Sequence, residues 1–279
     1  MKSIFFLSSA TLHVLSGLVD PGPLLNRDKT RLSCTAAVCV RDNGDIVLID
    51  AGLGSGLCRS GDTPEGRLSP LTRRLFGISP DDIFPIVNQL EQLGFDRGDV
   101  KAVVATHCHF DHIGGLSDFP NAELITTPDE LNALGGCGFS PFCRPADLVV
   151  ENPIRPVSLT GPRKYAMPAS FDLFGDGEIT LLDAEGHSPG HIAVALHTSD
   201  TFYLHVGDAL FLDWESGRGW SGPSRLSRAV CCDSHAMRRT LRSIQRLSTC
   251  DDPPIIVPAH DIGIFETLPH TPEAGKIEA

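Results

Sequence analysis

No CxxC pair, no low-complexity tract, no internal repeat and no run of ~18 uninterrupted apolar residues occurs in this 279-residue sequence. Each absence excludes something. Without such an apolar run there is no candidate membrane-spanning helix. The nine cysteines, an odd count at irregular spacing, do not read as a disulfide framework. They are expected to be mostly reduced, small core residues, which favours the cytoplasm. An excess of basic charge is missing too. The formal net charge is -12, whereas a protein whose main task is to hold nucleic acid usually presents a basic face. The segment MRRTLRSIQR (Met237 to Arg246) does carry four arginines. It reads as an amphipathic helix with a solvated basic side.

What is present fits a soluble globular chain: 41% hydrophobic and 21% charged residues. Residues 1–279 read as a single α/β domain with a large core. The opening MKSIFFLSSATLHVLSGLV has the single lysine and apolar character of a signal peptide. Its apolar run is broken by Ser, Thr and His, no clear A-x-A site follows, and SIFFL makes a good first strand.

CTAAVCVRDNGDIVLIDAG (Cys34 to Gly52) reads as strand, Asn-Gly turn, strand. DIFPIVNQLEQLGF (Asp82 to Phe95) has helical apolar spacing and stops at Gly94. VKAVVAT and NAELITT read as strands, and PDELNAL as a short helix. Further strands are expected in GEITLLDAEG, HIAVALHTSD, TFYLHVGDALF and PIIVPAHD, with the arginine-rich helix over Ser234 to Leu247. Two stretches break the pattern, near 53–80 and 135–172. Both are expected to be loop or lid insertions.

The chemistry concentrates in VVATHCHFDHIGG (Val103 to Gly115). His107 and His109 are two apart at the end of a strand, where residues i and i+2 project to one side. Asp111 and His112 follow as the chain turns toward a helix, and Gly114 and Gly115 ease the tight turn. Desolvating three imidazoles and a carboxylate together is costly without a metal. Cys108, between the histidines, is expected to point away from them. Further nitrogen and oxygen donors follow other strands: His187 and His191 in EGHSPGH, Asp208 in VGDALF, and His260 in VPAHD.

LIDAG, THCHFDHIGG, GHSPGH, GDALF and PAHD, in this order, resemble the metallo-β-lactamase fold superfamily across nearly the whole chain. The resemblance implies an αβ/βα sandwich of two mixed β-sheets flanked by helices, with a two-metal site at the sheet edges. It implies that His107, His109 and His187 hold one ion, that Asp111, His112 and His260 hold the other, and that Asp208 bridges them. Zinc is the default, and Mn, Fe or Co fit the same donors. Asp50 of LIDAG is similar to the acid that orients a ligand histidine, and His191 to a supporting residue. His13, His197, His205, His235 and His270 match no motif, although His205 precedes Asp208 closely.

The expected reaction is hydrolysis of a lactone or ester carbonyl. Divalent ions make hydroxide available at neutral pH, and Asp111 and Asp208 serve as the catalytic carboxylates. The order of motifs is most similar to the N-acyl-homoserine lactonase branch, the quorum-quenching enzymes. One departure is Phe211, where many of those lactonases carry a carbonyl-polarising tyrosine. Metal alone then polarises, or Tyr165 or His205 substitutes, or the substrate differs. The alternatives are a glyoxalase II-like thioester hydrolase, an aryl esterase or phosphoesterase, a tRNA-processing type of nuclease, and a non-catalytic metal-binding scaffold. The expected partner is a small-molecule ester or lactone, with no nucleic acid and no membrane. The oligomeric state is left open, with a dimer among the options.

Overall fold

The computed structural model describes residues 1–19, 23–57, 68, 70–133, 151–213 and 223–272. The first half of the chain builds a mixed six-stranded sheet: β1 (Ser3–Leu15), β2 (Lys29–Val40), β3 (Ile46–Ile49), β4 (Val100–Val104), β5 (Glu123–Thr126) and β6 (Ile154–Pro156), in that spatial order. β1, β2 and β3 pair antiparallel, and β3 through β6 pair parallel. The second sheet holds β7 (Ser170–Asp172), β8 (Ile179–Asp183), β9 (Ile192–His197), β10 (Phe202–Gly207) and β11 (Ile255–Pro258), in the spatial order β11-β10-β9-β8-β7. Its pairs are antiparallel except β10 with β11.

Alternation along the strands makes the layers. In β1, Ile4 and Phe6 face inward, packing with Ile49 and Val104 of their own sheet against Leu181, Val194 and Val257 of the other. Phe5 and Leu7, one residue out of phase, face outward against Ile86, Val87 and Leu90. These three lie on α3 (Ile86–Gln92), which follows α1 (Ser16–Val19) and α2 (Pro70–Phe76) in the chain. Next come α4 (Phe110–Ile113), α5 (Pro128–Ala133), α6 (Arg225–Val230), α7 (Ser234–Leu247) and α8 (Ile262–Phe265). α7 lays Met237, Leu241 and Ile244 on the outer face of the second sheet, against Leu182, Ala195 and Leu204. Its side chains Arg238, Arg239, Arg242 and Arg246 are exposed. The result is helices, sheet, sheet, helices: the expected αβ/βα sandwich. No helix among the described residues is long and apolar enough to cross a membrane.

Four expectations change. The helix expected over Asp82 to Phe95 is shorter, because Pro85 sits at its N-cap and restricts the residue before it. Its far end does stop at Gly94, whose φ is +86°. The stretch near 53–80 contains α2, so part of the expected loop is helical; residues 58–67 and 69 lie outside the described residues. The stretch 135–172 is not wholly a loop: β6 and β7 close the edges of the two sheets. These three-residue strands are too short to show a period in sequence. Its portion 135–150 lies outside the described residues. Finally, Cys34, Cys39 and Cys108 are buried free thiols as expected, but Cys232 is disulfide-bonded.

Candidate metal centre

All the candidate residues collect at one end of the sandwich. β3 and β4 run parallel and end together, followed by Asp50 and by His107. β10 and β11 also run parallel and end together, followed by Asp208 and His260. The β8–β9 connection brings His187 and His191 to the same edge, since antiparallel neighbours place one strand's end beside the other's start. Backbone bonds then join the two sheets here. The amide of Ile192 donates to the Thr106 carbonyl at 2.9 Å, and that of Thr35 to the Ala259 carbonyl at 2.9 Å.

Asp208 lies at the centre, 3% exposed. Its Oδ1 is 3.1 Å from Nε2 of His112 and 3.1 Å from Nε2 of His260. Its Oδ2 is 3.3 Å from Nε2 of His187 and 3.8 Å from Nε2 of His107. The two oxygens of one carboxylate thus face two separate donor groups. His109 joins the second group, its Nδ1 being 3.0 Å from His187 Nε2. Donor atoms of His107, His109, His187 and Asp208 lie within 4.8 Å of one another, and so do those of His112, Asp208 and His260. Asp111 reaches the latter group, with Oδ2 3.6 Å from His260 Nε2.

The ring orientations have local causes. Asp50 Oδ2 lies 2.7 Å from His112 Nδ1, and the same carboxylate accepts from Thr106 N at 2.7 Å and Thr106 Oγ1 at 2.9 Å. His260 Nδ1 donates to the Ser33 carbonyl at 2.7 Å. Each contact occupies Nδ1 and turns Nε2 inward. His191 Nε2 accepts from the amide of Asp208 at 3.1 Å, so it holds the bridging residue's backbone. Gly207 has φ +51°, and a Cβ there would sit 2.8 Å from His191 Nε2 and from Thr106 Oγ1. Only glycine suits that position.

The donors fit divalent cations. Nε2 of His107, Nε2 of His112 and Oδ1 of Asp208 are buried with no hydrogen-bond partner of acceptable geometry. Buried polar atoms are ordinarily paired, and here the orphans point at one another. Imidazole nitrogen with carboxylate oxygen is the donor set that zinc and its neighbours take.

Electrostatics divide the histidines. Burial pushes His107 and His187 well below the ordinary histidine pKa, and brings His109 to about 4 and His191 to about 3. Burial also opposes charge on His112 and His260. There the carboxylates prevail, Asp208 and Asp50 for His112, Asp208 and Asp111 for His260, and both are held well above the ordinary value. Burial would raise Asp208, but His260, His112 and His187 hold it well below the usual carboxylate range.

A cleft opens on His109, Asp111, His187, Asp208 and His260, walled by Leu12, Leu32, Phe76, Phe110, Phe211, Leu226 and Val230. Phe211 stands with its ring centre 5.8 Å from His187 and 5.1 Å from His260. Neither suggested substitute for a tyrosine at this place reaches the cleft. The Tyr165 hydroxyl bonds His197 at 2.7 Å and its ring packs on Phe202. Phe202 opens β10 and Asp208 follows its other end, about 20 Å of strand away. His205 Nε2 bonds the Thr35 carbonyl at 3.1 Å, and its Nδ1 accepts from Gly207 N at 3.4 Å.

Three residues matter here that motif reading missed. Thr106 links Asp50 to the histidine loop. Glu130, on α5 and 1% exposed, accepts from the amides of Cys108 at 3.0 Å and Gly190 at 3.1 Å, and from Ser188 Oγ. It ties the first histidine loop to the second, and burial raises its pKa against those bonds. An acid in a short helix three residues after a threonine carries no sign of this in sequence. The third is Cys34, whose sulfur lies within 4.8 Å of donor atoms of Asp111 and His260.

Comparisons with known proteins identify the family and the fold. N-acyl homoserine lactonase AttM of Agrobacterium fabrum is 32% identical over 201 residues, 67% of this chain and 68% of the relative. The probable metallo-hydrolase Rv2300c of Mycobacterium tuberculosis is 32% identical over 196 residues, 64% of this chain. The chain spans only 57% of that relative's length. Among solved structures, a variant of B. thuringiensis AiiA with N-decanoyl-L-homoserine bound at its active site superposes with a TM-score of 0.67 at 19% identity, covering 95% of this chain and 96% of that one. The dizinc quorum-quenching lactonase AidC, in complex with a product, gives 0.63 at 15%, covering 93% and 87%. At these identities the structural likeness is one of fold. The sequence profile of the metallo-beta-lactamase superfamily matches residues 33–260, and the chain belongs to that family.

Proposed function

We propose that this chain is a dinuclear-metal-dependent hydrolase of lactones and related carboxylic esters, with N-acyl-homoserine lactones as the leading substrate class. The observation that carries the reading is Asp208, whose two oxygens face two histidine groups from opposite sides. In this reading His107, His109, His187 and Asp208 hold one cation. Asp111, His112, His260 and Asp208 hold the other. Divalent cations, zinc by preference, supply a hydroxide nucleophile at neutral pH and polarise the scissile carbonyl.

The chain's own residues do the rest. Asp50 and the Ser33 carbonyl fix which nitrogen of His112 and of His260 faces inward. The Asp111 carboxylate, at the cleft wall, would accept the proton released by the attacking nucleophile and hand it to the leaving oxygen. Phe211, Leu12, Leu32, Phe76 and Leu226 give the cleft an apolar wall. Tyr165 and His205, committed elsewhere, do not replace the tyrosine of the lactonase branch. AttM and AiiA, through their names and bound product, support the lactone assignment.

A panel of one N-acyl-homoserine lactone, one thioester, one aryl ester, one phosphodiester and one β-lactam tests the reading. The metal-loaded protein is expected to turn over the lactone with the highest kcat/KM and the aryl ester next. A phosphodiester preferred over both would overturn the carbonyl assignment. Turnover of none, with two ions bound, would make the chain a metal-binding scaffold.

A further inference from the structure

The second cation position has a neighbour outside the nitrogen and oxygen set. Cys34 lies on β2, 2% exposed, two residues beyond Leu32, so both side chains leave the same face of the strand. Leu32 lines the cleft, and Cys34 packs in the same apolar cluster. Its sulfur, a carboxylate oxygen of Asp111 and a ring nitrogen of His260 lie within 4.8 Å of one another. Donors on opposite sides of one zinc ion are at most about 4.5 Å apart, the sum of two bonds. The three donors thus lie close to the span that one ion can bridge. Beside this triangle, His112 Nε2 and Asp208 Oδ1 are buried 3.1 Å apart without acceptable hydrogen-bond geometry. The two groups share His260 and meet at Asp111: Asp208 Oδ1 is 3.1 Å from His260 Nε2, and His112 Nε2 is 4.0 Å from Asp111 Oδ1.

Resting on the two-ion reading above, we propose that Cys34 is a thiolate ligand of the second cation, alongside Asp111, His260, His112 and Asp208. On binding, an S–metal bond replaces the S–H bond and the proton leaves to solvent. The consequence is selectivity. A soft sulfur donor favours zinc and cadmium over manganese and magnesium, so the two positions differ in the ions they prefer: nitrogen and oxygen alone in the first, with sulfur added in the second.

X-ray absorption at the zinc edge, on the full chain loaded with two zinc ions, tests this without any substitution. The expected result is a sulfur shell at about 2.3 Å, amounting to one sulfur per two zincs. A shell of nitrogen and oxygen alone around two bound zincs overturns the proposal and leaves the two-ion reading standing. Failure to take up two ions overturns both. A cadmium titration follows the same ligand through thiolate-to-cadmium absorption. That band is expected with the second equivalent in the native chain and is expected to be absent in Cys34→Ser and Cys34→Ala. Affinity for the second cadmium is expected to fall at least ~10-fold, the lower end of what loss of a mere outer partner costs. An unchanged band in either folded variant overturns the assignment.

Discussion

Asp50→Asn isolates the residue that aims His112. The site offers an unusual control, because Asp50 has φ +63° and asparagine tolerates that left-handed conformation. The backbone is therefore kept, while Asp50→Ala would add strain. In the native chain one carboxylate accepts from Thr106 N, Thr106 Oγ1 and His112 Nδ1, at 2.7, 2.9 and 2.7 Å. The asparagine oxygen can still serve the Thr106 amide. Its NH2 group then faces Thr106 Oγ1 and His112 Nδ1, where the native group is an acceptor. His112 must either lose the bond or move its proton to Nε2, the atom that faces Asp208. A proton on Nε2 blocks coordination. A hydrogen bond to a charged group contributes about 1.5–3 kcal/mol, which is roughly 10- to 150-fold in an equilibrium constant. The expected loss of affinity for one of two ions is therefore about 10–100-fold, the usual cost of removing a ligand's outer partner. Competition against a chromophoric zinc chelator measures it. Thermal melting of the metal-free variant checks that the fold survives. A folded variant that binds both ions within about twofold of the native affinity would show that Asp50 does not set the His112 tautomer.

Other consequences follow from the same geometry. Gly207→Ala places a Cβ 2.8 Å from His191 Nε2 and Thr106 Oγ1 at φ +51°. It is expected to cost at least ~1 kcal/mol from backbone strain alone and to lower bound metal by displacing Asp208; a native melting temperature with full metal content would refute this. Glu130→Ala leaves the buried amides of Cys108 and Gly190 without their acceptor. A loss of at least ~2 kcal/mol is expected in urea denaturation of the metal-free protein, and a change within 0.5 kcal/mol, the range of neutral surface substitutions, contradicts it. The pKa shifts also give a sign. His112 and His260 are held above their ordinary value by carboxylates, which favours their protonated forms in the metal-free protein. They must lose protons to coordinate, so loading is expected to release protons and to strengthen as pH rises. Calorimetry in buffers of different ionisation enthalpy reads the release, and heats independent of buffer would refute it.

Most of the site was legible in the sequence because its donors are compact motifs at strand ends. HxHxDH follows β4, and Asp208 and His260 follow β10 and β11. Alternation in Ser3 to Leu7 and the 3.6-residue rhythm of Ser234 to Leu247 likewise reveal the layers. What stayed hidden depends on contacts between distant segments. Glu130 joins Cys108 to Gly190 across 22 and 60 residues, and Cys34 meets His260 across most of the chain. Short β6 and β7 are strands only because a neighbour pairs with them. Phe211 was visible as a departure. That Tyr165 cannot compensate for it became visible only once β10 placed the two at opposite ends.

The central claim is that two divalent ions, bridged by Asp208, are required for carbonyl hydrolysis. Its most direct test is titration of the metal-free protein with zinc while following hydrolysis of an N-acyl-homoserine lactone and counting bound metal. No turnover is expected without metal, and a plateau is expected at two bound ions per chain. Full turnover in the metal-free protein would contradict it.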